Sequence, residues 1–88
     1  MFLHIGGDYV VPVEEIIVII DASLENTSPS TREFIRVAKA DKVIVDYSDG
    51  DPKSYVLTDD HLILSPISSG TLQKRGELLK ELERYTIY

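Results

Sequence analysis

The chain has 88 residues, of which 43% are hydrophobic and 27% charged, with a net charge of −6 and no cysteine. These values exclude disulfides and thiolate metal sites, and they lie far from the low-hydrophobicity, high-charge composition of a disordered chain. No apolar run approaches the roughly 20 residues of a membrane span, and the acidic balance opposes indiscriminate binding to polyanions or anionic lipid.

One domain is expected, burying about 60–65% of its unfolded surface, so that oligomerisation is a ready source of further burial. The opening MFLHIGGDYVV lacks a basic leader and a cleavage-like segment, and a cytoplasmic protein is expected. Phe2 to Ile5 is short and apolar, Gly6-Gly7-Asp8 signals a turn, and Tyr9 to Val13 is again strand-like, which predicts a hairpin. The run EIIVIID, Glu15 to Asp21, fits a strand covered on both faces, by a helix on one side and by another subunit on the other.

Ala22 to Ser28 is a polar connection. Ser28-Pro29-Ser30-Thr31 then supplies helix-start chemistry, with Pro29 in the first turn and Ser30 spaced from Glu33 as in a capping box. The helix is predicted to run to about Lys39, with Phe34, Val37 and Ala38 on one face and a basic stripe of Arg32, Arg36 and Lys39 on another. KVIVDY, SYVLT and HLILS read as three further strands, and Leu72 to Tyr85 as a terminal helix with Leu72, Leu78, Leu79, Leu82 and Tyr85 on its apolar face. Between the strands, DYSDGDPKSY carries an Asp-Gly turn that reads as an acidic hairpin tip. No internal repeat is apparent.

Candidate sites are few. His4 and His61 lack ligand spacing and read as structural, and Gly6-Gly7 precedes a strand where a phosphate loop requires a helix. The serines of SPISSGT read as caps for the last helix, without a positioned base that would make one a nucleophile. Glu14-Glu15 and Asp59-Asp60 are carboxylate pairs of the kind that can shift a pKa or bind a divalent cation, but adjacent residues of a strand point to opposite faces, so neither is automatically a dyad, and both read as solvated turn residues. Nothing supports an enzyme. What remains is charge: the stripe Arg32, Arg36, Lys39, and Lys74-Arg75 at the start of the last helix, each able to meet phosphates.

Four stretches, FLHIGGDYVV, SPSTREFI, DPKSYVLT and SPISSGTLQKR, together resemble the RemA/RemB family of small bacterial extracellular matrix regulators. The resemblance runs from Phe2 to Arg75, and SPISSGTLQKR is its most specific block, because strand periodicity does not dictate its polar residues. It implies a regulator of biofilm matrix genes, a fold of the LytTR-like DNA-binding kind, and assembly into homo-oligomeric rings. It also implies arginines that hold DNA just before the strand matching EIIVIID and in the segment matching YSDGDPKS. Here those places hold Glu14-Glu15 and Ser48 to Pro52.

The expected fold is α+β: a small, mostly antiparallel sheet with one internal and one carboxyl-terminal helix. Two functions are weighed. One is a non-enzymatic, DNA-binding regulator without cofactor or metal, using Arg32, Arg36, Lys39, Lys53, Lys74 and Arg75. The other is an oligomeric adaptor that docks on a protein partner through Asp49, Asp51, Asp59 and Asp60 and does not touch DNA.

Overall fold

A computed structural model describes residues 1–84, with side-chain surroundings as far as Leu78. Phe2–Gly6 (β1) and Tyr9–Pro12 (β2) pair as the expected antiparallel hairpin. Strand alternation buries Leu3, Ile5 and Val11 and leaves Phe2, His4 and Val10 facing solvent. The turn depends on Gly6, at φ +144°, where a Cβ would stand 2.8 Å from Cδ of Pro66.

A 3₁₀ turn over Val13–Glu15 leads to Val18–Asp21 (β3), the short helix Leu24–Thr27 (α1), and Pro29–Asp41 (α2). Val43–Asp46 (β4), Ser54–Leu57 (β5), His61–Ser65 (β6) and Ser69–Arg84 (α3) follow. The second sheet has the order β3-β5-β6-β4, with β5 antiparallel to both β3 and β6, and β4 parallel to β6. Strands β3, β4 and β6 therefore run the same way, and β3-α2-β4 is a crossover that spans the β5-β6 pair, a split β-α-β unit.

The two faces of this sheet carry separate cores. On one, Ile35 and Ala38 of α2 pack with Tyr55, Leu57, Leu62 and Leu64; on the other, Val56 and Ile63 pack with Leu3, Ile5 and Val11 of the hairpin and Leu72 of α3. Every residue of β5 is buried, as is β6 beyond His61, and each fully buried Ile or Leu there contributes about 1.5–3 kcal/mol. Two buried serines tie the layers together. Ser65 Oγ donates to the Ile5 carbonyl at 2.6 Å, and Ser54 Oγ donates to the Ile67 carbonyl at 2.7 Å.

Several expectations are corrected. The cap of α2 is Ser28, whose Oγ accepts from Thr31 N–H at 3.2 Å with Pro29 in the first turn, so the helix starts earlier than a Ser30 cap would allow, and Glu33 turns to Arg36. Ile35 and Ala38 form the packed face, whereas Phe34 and Val37 are 44% and 50% exposed, because a helix lying on a flat sheet buries only a narrow stripe. The EIIVIID run yields a four-residue edge strand with Val18 and Ile17 at the surface; the chain itself covers both of its faces, Ile20 packing toward α2 and Ile19 toward the hairpin and α3.

The acidic Asp-Gly segment is not a hairpin tip. Strands β4 and β5 do not pair, and residues 47–53 step over the end of β6. The hairpin lies one connection later, where Thr58 to His61 join β5 to β6 and Thr58 N–H donates to the His61 carbonyl at 3.0 Å.

There is also a short internal echo. VIIDAS at 18–23 and VIVDYS at 43–48 form the two edges of the sheet, and each ends in an aspartate that accepts from the serine two residues on. Helix α3 begins at Ser69, with Ser68 Oγ accepting from Thr71 N–H at 3.2 Å, so a serine of SPISSGT does cap it. Leu72 is buried and Leu78 is 64% exposed; Tyr85 lies outside the described residues, as do the side chains of Leu79 and Leu82.

Candidate nucleic-acid interface

The basic stripe of α2 is real as a helix face, but carboxylates and carbonyls occupy it. Arg36 faces Glu33 one turn back with two N–H donors, which lowers the Glu33 carboxyl and raises the guanidinium. Arg32 Nε donates to the Glu25 carbonyl of α1 at 3.1 Å. Lys39 Nζ lies 4.0 Å from Glu25 Oε2 and 5.8 Å above the Tyr55 ring. Glu25 thus gathers two of the three stripe residues toward the β3 side of the sheet, and it accepts from the Tyr55 hydroxyl at 2.8 Å. Burial, reinforced by that carboxylate, pushes the Tyr55 hydroxyl up to about 12.

Lys39 and Lys53 share a cleft of about 590 Å³ at the carboxyl end of β3, lined also by Asp21, Glu25, Asn26, Asp51 and Tyr55. Lys53 Nζ is 3.7 Å from Asp51 there, so its two lysines face three carboxylates. A phosphate would have to displace these carboxylates, and exposed pairs of this kind are worth well under 1 kcal/mol each. Lys74 and Arg75 stand on the other side of the sheet, exposed on the first turns of α3; Arg75 reaches the His4 carbonyl at 3.4 Å. The six basic candidates therefore fall on two opposite faces. Among the described residues, Lys74 and Arg75 form no ion pair.

The acidic candidates separate too. Asp49, at φ 54°, and Asp51 belong to the β4-β5 connection, whereas Asp59 and Asp60 sit at the β5-β6 turn at the far end of β5. They do not make one surface. The loop around Asp49 is shaped by Asp46, whose carboxylate accepts from Ser48 Oγ and N–H and from Gly50 N–H and is held below its usual value by those bonds. Asp21 is lowered in the same way by Ser23. Glu14 and Glu15 are exposed on the 3₁₀ turn, so the positions before β3 present negative charge.

His4 Nε2 hydrogen-bonds the Gly7 carbonyl within its own hairpin at 2.6 Å, and His61 opens β6 in the other sheet. Among the described residues no group of three or more His, Asp or Glu could hold a metal ion, and no helix is long and apolar enough to cross a membrane. Sequence reasoning missed Glu25 and Tyr55, which are 30 residues apart and share no local pattern. It also passed over Asp21 and Asp46, for which the repeated D-x-S ending was the available signal.

This split β-α-β domain, backed by a hairpin and a terminal helix, is matched over residues 2–75 by the family model for extracellular matrix regulatory protein A-like chains, and the chain belongs to that RemA-like family. Across 83 residues it is 37% identical to "Extracellular matrix regulatory protein B" of Bacillus subtilis (strain 168), a match covering 94% of this chain and 99% of that one.

Proposed function

We propose that this chain is a non-enzymatic, cytoplasmic regulator of extracellular matrix (biofilm) genes that acts as a homo-oligomer, in the ring form that the family resemblance implies, and binds DNA. The observation that carries the reading is family membership across nearly the whole chain, together with a full-length relative named for matrix regulation. Lys74 and Arg75 are the favoured phosphate contacts, since they are exposed at the start of α3 and free of ion pairing among the described residues. Lys53 and the α2 stripe rank second, because Glu33, Glu25 and Asp51 offset their charge.

Anisotropy of labelled duplex DNA across a salt series tests this. Binding at low salt is expected, with Lys74→Glu and Arg75→Glu each lowering affinity and reducing the salt slope by about one. Absence of binding at low salt would remove DNA from the mechanism.

A second reading has its own observation. Glu14, Glu15, Asp49 and Asp51 are exposed where the resemblance implies DNA-holding arginines, and carboxylates there repel phosphate. On that reading the oligomer is an adaptor for a basic protein surface. Asp49→Asn with Asp51→Asn should then slow association with such a partner, and Asp59→Asn with Asp60→Asn, at the other end of β5, should act independently.

A further inference from the structure

We propose that the groove between α3 and the 3₁₀ turn is a docking site for another protein, and that it takes an apolar side chain flanked by lysine or arginine. The inference rests on the adaptor reading above and gives that adaptor a place to hold its basic partner.

The groove is apolar and of side-chain size. Buried Leu3 and Leu72 form its floor, half-buried Val13, Ile16 and Ile19 line one side, and α3 lines the other through Gln73, Gly76 and Glu77. Its volume of about 280 Å³ falls just below the roughly 300–1,000 Å³ of small-molecule sites and suits one or two anchoring side chains.

Gly76 is a second, independent observation. It stands at the middle of the 16-residue α3, where glycine weakens a helix relative to alanine. Its φ is not positive, and a Cβ added to it would meet nothing within 4 Å, so neither the backbone nor the packing of the described residues requires a glycine there. The missing side chain leaves the groove open along α3.

Charge then selects the occupant. Glu14 and Glu15 lie between the lining residues Val13 and Ile16, and Glu77 stands on the opposite side. All three are exposed, and among the described residues none of them is in an ion pair. An apolar floor between free carboxylates is complementary to an apolar anchor between cations, which also speed its approach. Duplex DNA has the wrong sign for this rim. A second copy of this chain fits poorly, because it carries a net charge of −6 and its basic stripe is already engaged, Arg36 by Glu33, and Arg32 and Lys39 by Glu25. The cations come from a different protein.

The probe is a fluorescein-labelled peptide, Lys-Arg-Leu-Phe-Arg-Lys, titrated with the full chain at low salt and followed by anisotropy. Binding is expected, and it should be lost when acidic residues replace the peptide's cations or serines replace its Leu-Phe pair. Gly76→Ala should raise the thermal midpoint by about 2–8 °C through helix propensity while weakening peptide binding. Gly76→Leu, which fills the groove, and Glu14→Lys with Glu15→Lys should each weaken binding about tenfold or more, with circular dichroism to verify the fold.

No binding of the basic peptide at low salt overturns the groove, as does a Gly76→Ala chain with a lowered midpoint, since the glycine then serves the fold. Binding that ignores Gly76→Leu but falls with Asp49→Asn and Asp51→Asn overturns the groove and leaves the adaptor standing at its other surface, whereas binding indifferent to both sets and to salt overturns the adaptor as well. A Gly76→Leu chain that sediments as a smaller species than the wild type gives the groove to another copy of this chain and overturns the partner proposed here.

Discussion

The two edges of the four-stranded sheet are built from nearly the same residues, VIIDAS at 18–23 and VIVDYS at 43–48, yet they are finished differently. Each strand ends in an aspartate that clasps the serine two residues on. The motif is turned over between them: Ile19 faces the hairpin and α3, while its counterpart Ile44 faces the α2 side. Helices α1 and α3 pack against β3, whereas the one extensive neighbour of β4 among the described elements is β6. Equal local propensity therefore does not make equal edges. The chain after β3 folds back over its own strand through α1, while the chain after β4 leaves at once for β5.

The largest way to break this comparison is truncation on both edges. Ile20 packs toward the cluster of Ile35, Tyr55 and Leu62, and Ile20→Ala should cost about 2 kcal/mol, the low end for isoleucine because the site is only half-buried. Ile44→Ala, measured by urea denaturation at a concentration too low for self-association, should change stability by less than about 0.5 kcal/mol. Equal costs would mean that the β4 edge is as well packed as β3. A smaller effect should come from the serines. Ser48 is buried and bonds Asp46 at 2.6 and 2.7 Å, while Ser23 is exposed at the matching place, so Ser48→Ala should lower the urea midpoint more than Ser23→Ala.

How far this was legible in the sequence depends on how local the signal is. The hairpin turn at Gly6-Gly7, the Pro29 helix start and the Ser68 cap each depend on a few adjacent residues, and all were readable. The destination of the chain after Tyr47 was not. An Asp-Gly turn between two apolar runs reads as a hairpin, but whether β5 returns beside β4 or crosses β6 is decided by burial: β5 is covered on both faces and takes the centre of the sheet. The faces of α2 failed for a related reason. Phe34, Ile35, Val37 and Ala38 are all apolar, and only the position of the sheet tells which pair is covered. At the candidate site, charge was readable, and so was the local offset of Lys53 by Asp51 two residues away, but the offset of Lys39 by Glu25 came from tertiary placement.

The cover over β3 can be probed through Tyr55, whose hydroxyl donates to Glu25 of α1. Its pKa is raised to about 12 from a usual 10.0, first by burial and then by Glu25. A raised folded value contributes stability that is complete below pH 10 and is lost as the pH rises toward 12. Ultraviolet titration should show Tyr55 ionising late, and Glu25→Gln should move it down but not back to the ordinary value, since burial is the larger cause. A full return to the ordinary value would mean that α1 does not shield the ring.

The smallest effect lies at acid pH, where both edges should loosen unequally. Asp21 and Asp46 are each held below their usual 3.8 by serine donors, so their contribution is complete above that value and fades as the pH falls below it, through the depressed folded values. Asp46 accepts a third bond, from Gly50 N–H at 3.2 Å, which helps to fix a loop holding Asp49 at positive φ. Asp46→Asn should therefore flatten the acid limb of the stability curve more than Asp21→Asn, and carboxyl NMR titration should give Asp46 the lower value. Both side chains are exposed, so the difference is modest. Identical acid limbs for the two variants would mean that Gly50 adds nothing and that the two strand endings, whatever covers them, are the same structure.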